Sequence, residues 1–373
     1  MERLVGTVSR GIRAPIIREG DDIAQIVVDS VLNAAESEGF SLRDRDVVAV
    51  TEAVVARAQG NYVTVDQVAQ DIRAKFPAKK LGLVFPILSR NRFSMCLKAI
   101  ARAMDEVVVL FSYPNDEVGN PLMVRSAYLK NRYSGVYDFE EADFVKTFGS
   151  PVHPFTGVNY LDFYREVIES EGAKATFLFS NDCRYIASYC DSILCCDIHT
   201  RNETRDVLQS MGKQVLTLAD IMNAPVDGSG YHEAYGMLGS NKANEEKLKL
   251  FPRNCQPVVE GIQARIKAER GLDVEVMVYG DGAFKDPVGG IWELADPVVS
   301  PAYTAGLAGK PNELKLKYLA DNDFASLSGD ALTSAIKDSI SHKNADLKGQ
   351  MSSQGPTPRR LTDLIGSLCD LTS

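Results

Sequence analysis

The chain has 373 residues, 45% hydrophobic and 24% charged, a globular composition long enough for two or three cores and too apolar for a disordered segment. A net charge of -9 excludes a nucleic-acid surface as its main business, because neutralising phosphate takes clustered Lys and Arg. Seven cysteines, an odd number with no signal-peptide pattern ahead of them, predict a reduced cytoplasmic protein, and no apolar run nears the about 18 residues that cross a bilayer.

In chain order, Pro15-Ile16-Ile17-Arg18-Glu19-Gly20-Asp21-Asp22 reads as a turn, with Asp21 or Asp22 as N-cap of a helix over 23–32. Residues 46–52 read as a buried strand, and 53–59 as a short helix stopped by Gly60. From about 81 to 225, predicted helices (97–104, 161–170, 184–189, 204–211) alternate with strands (107–110, 176–179, 192–196, 214–216). That alternation predicts a parallel sheet with covering helices, an α/β subdomain inserted at 81–225 between the two parts, 1–80 and 226–373, of a surrounding domain. The predicted fold class is therefore mixed α/β and multi-domain.

After the linker-like loop Pro225-Val226-Asp227-Gly228-Ser229-Gly230 come a helix over 257–270 and a strand over 274–278. The strand runs into the acidic, glycine-rich turn Tyr279-Gly280-Asp281-Gly282-Ala283-Phe284-Lys285-Asp286-Pro287-Val288-Gly289-Gly290. A carboxylate at a strand end, with glycines baring the backbone beside it, is suited to a metal-bound phosphate, since Mg²⁺ needs one or two carboxylates plus phosphate oxygens. Asp281 and Asp286 are the candidates; the plain alternative is a turn that only reverses the chain.

Further candidates lie elsewhere. Leu238-Gly239-Ser240-Asn241-Lys242-Ala243-Asn244 offers a hydroxyl, an amide and an ammonium to an anion, or is a surface turn capping a Lys- and Glu-rich helix. Pro86 to Phe93 and Pro356 to Arg360 each hold two arginines, able to grip phosphate or carboxylate bidentately or to pair with surface acids. Asp116, Asp182 and Asp197 follow predicted strands, where open α/β sheets bind ligands and where helices also begin with capping residues. Cys190 to His199 lacks the Cys-x-x-Cys spacing of a zinc site and alternates like a buried strand. No Gly-x-Ser-x-Gly, Gly-x-Gly-x-x-Gly or P-loop motif occurs, so a hydrolase triad, a standard dinucleotide fold and a P-loop are all unsupported.

Taken in order, Pro15 to Asp22, Asp46 to Gly60 and the Asp281 turn resemble the γ-glutamyl ligases that elongate the deazaflavin coenzyme F-420. The resemblance covers the two ends of the chain. It implies an intertwined α/β homodimer that uses GTP and Mg²⁺ or Mn²⁺ to activate a carboxyl group as an acyl phosphate, which the amine of L-glutamate attacks. It also implies nucleotide contacts at Pro15, Ile16, Ile17, Arg18, Glu52 and Asn241, with Arg57 in place of a lysine, and a metal ligand at Asp281. Leu238 stands where a second metal carboxylate is expected, so Asp286 or Asp116 is the candidate to replace it. The 363–370 segment resembles a helix that a glycine-rich loop and a strand follow, whereas this chain ends at Ser373.

The leading expectation is a ligase that uses GTP or ATP to join glutamate, or another amino acid, to a small-molecule carboxylate. The rivals are a non-catalytic nucleotide- or anion-binding protein on the same scaffold, and a redox enzyme holding a cofactor at its strand ends.

Overall fold

A computed structural model describes the chain except for residues 1–4, 132–134, 136, 281–282, 286–291, 295–298, 348, 354–359 and 373. Helix α1 (Ile23–Glu38) starts at Asp22, whose side chain accepts from the Gln25 amide, and stops at the left-handed Gly39. Strand β1 (Val47–Thr51) leads directly into α2 (Glu52–Gln59), which Gly60 ends in the same way. There follow β2 (Tyr62–Thr64), α3 (Val65–Lys75), β3 (Lys80–Val84), α4 (Phe93–Ala103), β4 (Glu106–Phe111) and α5 (Arg125–Asn131). Next come β5 (Phe139–Glu140), α6 (Glu141–Phe148), α7 (Tyr160–Ser170), β6 (Lys174–Phe179), β7 (Ser192–Cys195), α8 (Arg201–Ser210) and β8 (Gln214–Thr217). The last third holds β9 (Asn241–Asn244), β10 (Lys247–Lys249), α9 (Gln256–Arg270), β11 (Glu275–Gly280), β12 (Ala283–Lys285), β13 (Trp292–Leu294), β14 (Val299–Tyr303) and a final helix Leu361–Asp370.

The fold is mixed α/β with several sheets. The largest has strand order β5-β6-β4-β3-β7-β8, parallel throughout except for the short edge strand β5. Its inner strands are buried on both faces, and for that reason Val107 to Phe111 and Ile193 to Cys195 read as unbroken apolar runs rather than alternating ones. The order reverses between β3 and β7, the place where a doubly wound sheet opens its crevice.

Two smaller sheets join distant parts of the chain. In one, β1 pairs parallel with β11 and β11 antiparallel with β14. Val48, Val50, Val276 and Val278 from this sheet meet α1 and α9 in one core, where Gly261 leaves only van der Waals room against Ala24. In the other, β10 lies between β2 and β9. The region after Asn244 was expected to be a Lys- and Glu-rich helix and is instead this hairpin; Leu248 and Leu250 are fully buried, and β10 finds its partner in β2, far back in the sequence.

An ion network ties the hairpin to the large sheet's helices. Arg102 forks onto Glu171 at 2.7 and 3.1 Å and reaches Glu246 at 2.7 Å, and Lys98 joins Glu246 at 2.5 Å. The two cations hold the Glu246 carboxyl down to about 2. The cysteines act as core side chains: burial pushes the Cys190 and Cys255 thiols up to about 12, so they stay protonated.

Candidate functional site

Strand β11 ends at Gly280, the residue before Asp281. A Cβ at Gly280 would lie 2.3 Å from Glu52 Cγ and 3.1 Å from a Phe251 ring carbon, so only glycine fits beside that carboxylate. Glu52 opens α2, is 1% exposed, and accepts a 2.5 Å hydrogen bond from Lys249 Nζ on β10. Lys249 stands between Tyr62 on β2 and Asn241 on β9 in cross-strand register. Directly opposed residues share a sheet face, so Asn241 and Lys249 lie on the same side of the hairpin. Through Lys249, the end of β11, the start of α2 and the β9–β10 hairpin meet at one point.

The N-terminal loop joins from the other side of α2. Arg57 Nε donates to the Ile17 carbonyl at 3.2 Å, and the Gly20 amide to the Ala58 carbonyl at 2.9 Å. Ile17 packs with Ile23 and Ala58, while Pro15, Ile16, Arg18 and the Arg57 side chain face solvent. The structure thus sets the loop at Ile17 against the helix that carries Glu52 and Arg57, with Asn241 in register with Lys249, the partner of Glu52. Asp281 and Asp286 lie outside the described residues.

Asp116 belongs to another sheet, in the loop after β4. Its two oxygens accept from the amides of Leu88, Val118 and Asn120 and from the Asn120 side chain, at 2.7 to 3.1 Å. These bonds lock the loop after β4 to the loop after β3, whose Asn91 carbonyl accepts from the Lys242 amide beside Asn241. Burial nonetheless pushes its carboxyl up to about 6. A raised folded-state value means stability present below the ordinary value of 3.8 and lost as pH rises through about 6. The urea-unfolding free energy of wild type, measured against Asp116→Asn so that other groups cancel, should therefore fall by roughly 2 kcal/mol from pH 4.5 to 6.5. A flat difference would show that Asp116 titrates alike in both states.

At the crevice between β3 and β7 the strand ends are occupied by the chain's own side chains. Glu117 reaches over from the β4 side and accepts from the amides of Ile198, His199 and Thr200 and from the Thr200 hydroxyl, at 2.7 to 3.1 Å. The chain's own carboxylate thus fills the anion position at the start of α8. Asp182 is a cap, accepting from the Arg184 amide at 3.0 Å. Asp197 is fully buried and binds the Thr200 and Thr204 hydroxyls through one oxygen.

The profile described as F420-0:Gamma-glutamyl ligase matches residues 11–373. The chain belongs to this ligase family. The match runs through the large parallel sheet as well as through the two ends that carry the resemblance. No curated protein matches the chain. Among the described residues, no helix is long and apolar enough to cross a membrane.

The divalent ion that the ligase family implies can be tested against the donors described. Leu238 is 9% exposed and packed in the core beside Leu248 and Leu250, and Glu52 is already bonded to Lys249. Among the described residues, no group of three or more His, Cys, Asp or Glu could hold a metal. The described residues do not fit a two-carboxylate metal centre. Lys249 was missed from sequence; the alternation Lys247-Leu248-Lys249-Leu250 was the signal for it, since it sets a lysine on the face opposite two buried leucines.

Proposed function

We propose that the protein is an amide-forming ligase that uses GTP or ATP to join an amino acid, glutamate first, to a carboxylated small molecule. The observation that carries this reading is the buried Glu52–Lys249 pair, with Asn241 opposite Lys249 in register and the β11 end against Glu52, in a chain of the γ-glutamyl ligase family. In the first step an acceptor carboxylate oxygen attacks the γ-phosphorus, giving an acyl phosphate and the nucleoside diphosphate. In the second, the amine attacks the acyl carbon, phosphate leaves with the C–O bond electrons, and the nitrogen gives up its proton as the amide forms.

Charge accumulates on phosphoryl oxygens in both steps, and fixed cations lower that barrier without reorganising. Lys249 and Arg57 are assigned this task, with the Asn241 amide orienting the phosphates and the loop from Pro15 to Arg18 lining the nucleotide. Mg²⁺ or Mn²⁺ enters the proposal as the nucleotide's counter-ion, for Asp281 and Asp286 to hold. A homodimer, and an insert at 81–225 that shapes the acceptor side, belong to the same proposal. The dinucleotide alternative draws no support from the crevice at β3 and β7, since Glu117 occupies it.

The test is phosphate release from GTP and from ATP, with and without L-glutamate, across a panel of small carboxylic acids. Release that needs both an amino acid and an acceptor is expected. Nucleotide binding with no release under any pairing would favour the non-catalytic binding protein instead.

A further inference from the structure

Lys249 is the one lysine buried in this way among the described residues, at 6% exposed, and its partner Glu52 is 1% exposed. A buried ion pair adds little stability that an apolar pair of equal volume would not, because both ions give up their water. Packing alone therefore does not account for a charge here.

The surroundings give that charge a use. Asn241 stands opposite Lys249 in cross-strand register, on the same sheet face, and is half-buried rather than buried. Gly280 bares the backbone on the far side of Glu52. Of the positions considered for a cation, 238 is a buried leucine, Asp116 already accepts four hydrogen bonds in its own loop region, and Asp281 and Asp286 lie outside the described residues.

We infer that Lys249 is the fixed cation of this site, and that an incoming phosphoryl group takes its ammonium from Glu52. This role presupposes the nucleotide-dependent reaction proposed above. Lysine suits it, being a compact charge on a flexible four-carbon stem, and a phosphoryl group offers more charge and more acceptor oxygens than one carboxylate.

The probe is the non-hydrolysable analogue guanosine 5′-(β,γ-imido)triphosphate, titrated calorimetrically in EDTA and in Mn²⁺. The double variant Glu52→Met with Lys249→Met leaves neither charge unpaired, and its melting curve reports that it folds. Wild type should bind in EDTA, and the double variant at least about tenfold more weakly, the lower end of what a charge-assisted hydrogen bond contributes. Glu52→Gln is the second variant, for the case in which the first does not fold. It leaves the ammonium without a competitor and should bind more tightly than wild type. Equal affinity of folded double variant and wild type, or weaker binding by Glu52→Gln, overturns the role of Lys249 and leaves the ligase reading standing. No binding by wild type in either medium overturns both.

Discussion

Truncating Phe111 to alanine should destabilise the protein by roughly 3–5 kcal/mol, the cost of emptying a fully packed aromatic site. Phe111 closes β4, is 1% exposed, and has the rings of Tyr164, Phe177 and Phe179 within 5.6 to 5.9 Å of its own. Phe179 in turn stacks on Phe144 at 3.8 Å, so the neighbours hold one another and cannot collapse into the gap. The effect should also travel. Tyr164 donates to the Ile87 carbonyl at 2.8 Å and accepts from the Ser89 amide at 3.2 Å, so the ring beside Phe111 holds the loop that reaches Asn91 and the hairpin. Urea unfolding followed by far-UV circular dichroism measures the loss, and Phe111→Leu, which keeps most of the volume, should recover the larger part of it. A cost below about 1 kcal/mol would mean that this cluster is loosely packed.

Replacing Lys249 alone by methionine should cost about 3–5 kcal/mol, because it strands a buried carboxylate. Glu52 is buried, with its Cγ packed against Gly280. Removing both charges, as Glu52→Met with Lys249→Met, should return stability to near the wild-type value, since an apolar pair is then packed where two ions gave up their hydration. The two substitutions must therefore be strongly non-additive, and a double-mutant cycle in urea measures the coupling. If the single and double variants are equally destabilised, the pair is not the closed ion pair described.

Much of the fold was legible because its local signals agree with its long-range packing. Val107 to Leu110 is an apolar run long enough to fill a two-sided buried strand, and Asp22 and Gly60 punctuate helices through their own backbone preferences. The hairpin of β9 and β10 was not legible. Lys and Glu favour helix locally, and only pairing with Tyr62 to Thr64, contributed from before the large sheet, turns them into strand.

The candidate site divides along the same line. Glu52, Asn241 and the turn after Gly280 stand out by residue type and order, yet the lysine that joins them is 197 positions from Glu52, and no local period encodes such a contact. The Glu117 contact was hidden for a related reason. Its carboxylate crosses from the loop after β4 to the amides after β7, 81 to 83 positions on, and a glutamate near a strand end looks the same in sequence whether it binds a ligand or its own backbone.

The pairing of β2 with β10 also bears on the order in which the chain folds. Asn61 donates to the carbonyls of Tyr231 and Phe251, 170 and 190 residues later, and Lys75 Nζ donates to the Asp220 carbonyl, 145 residues later. Closing loops of that length in an unfolded chain is entropically costly before any contact rewards it. The large parallel sheet lies wholly between those endpoints, and once formed it shortens the open stretch that remains to be closed. The middle of the chain thus acts as an internal clamp that must set before the two halves of the Glu52–Lys249 site can find each other. In refolding, protection of amides in β3, β4 and β6 should precede protection in β1 and β11.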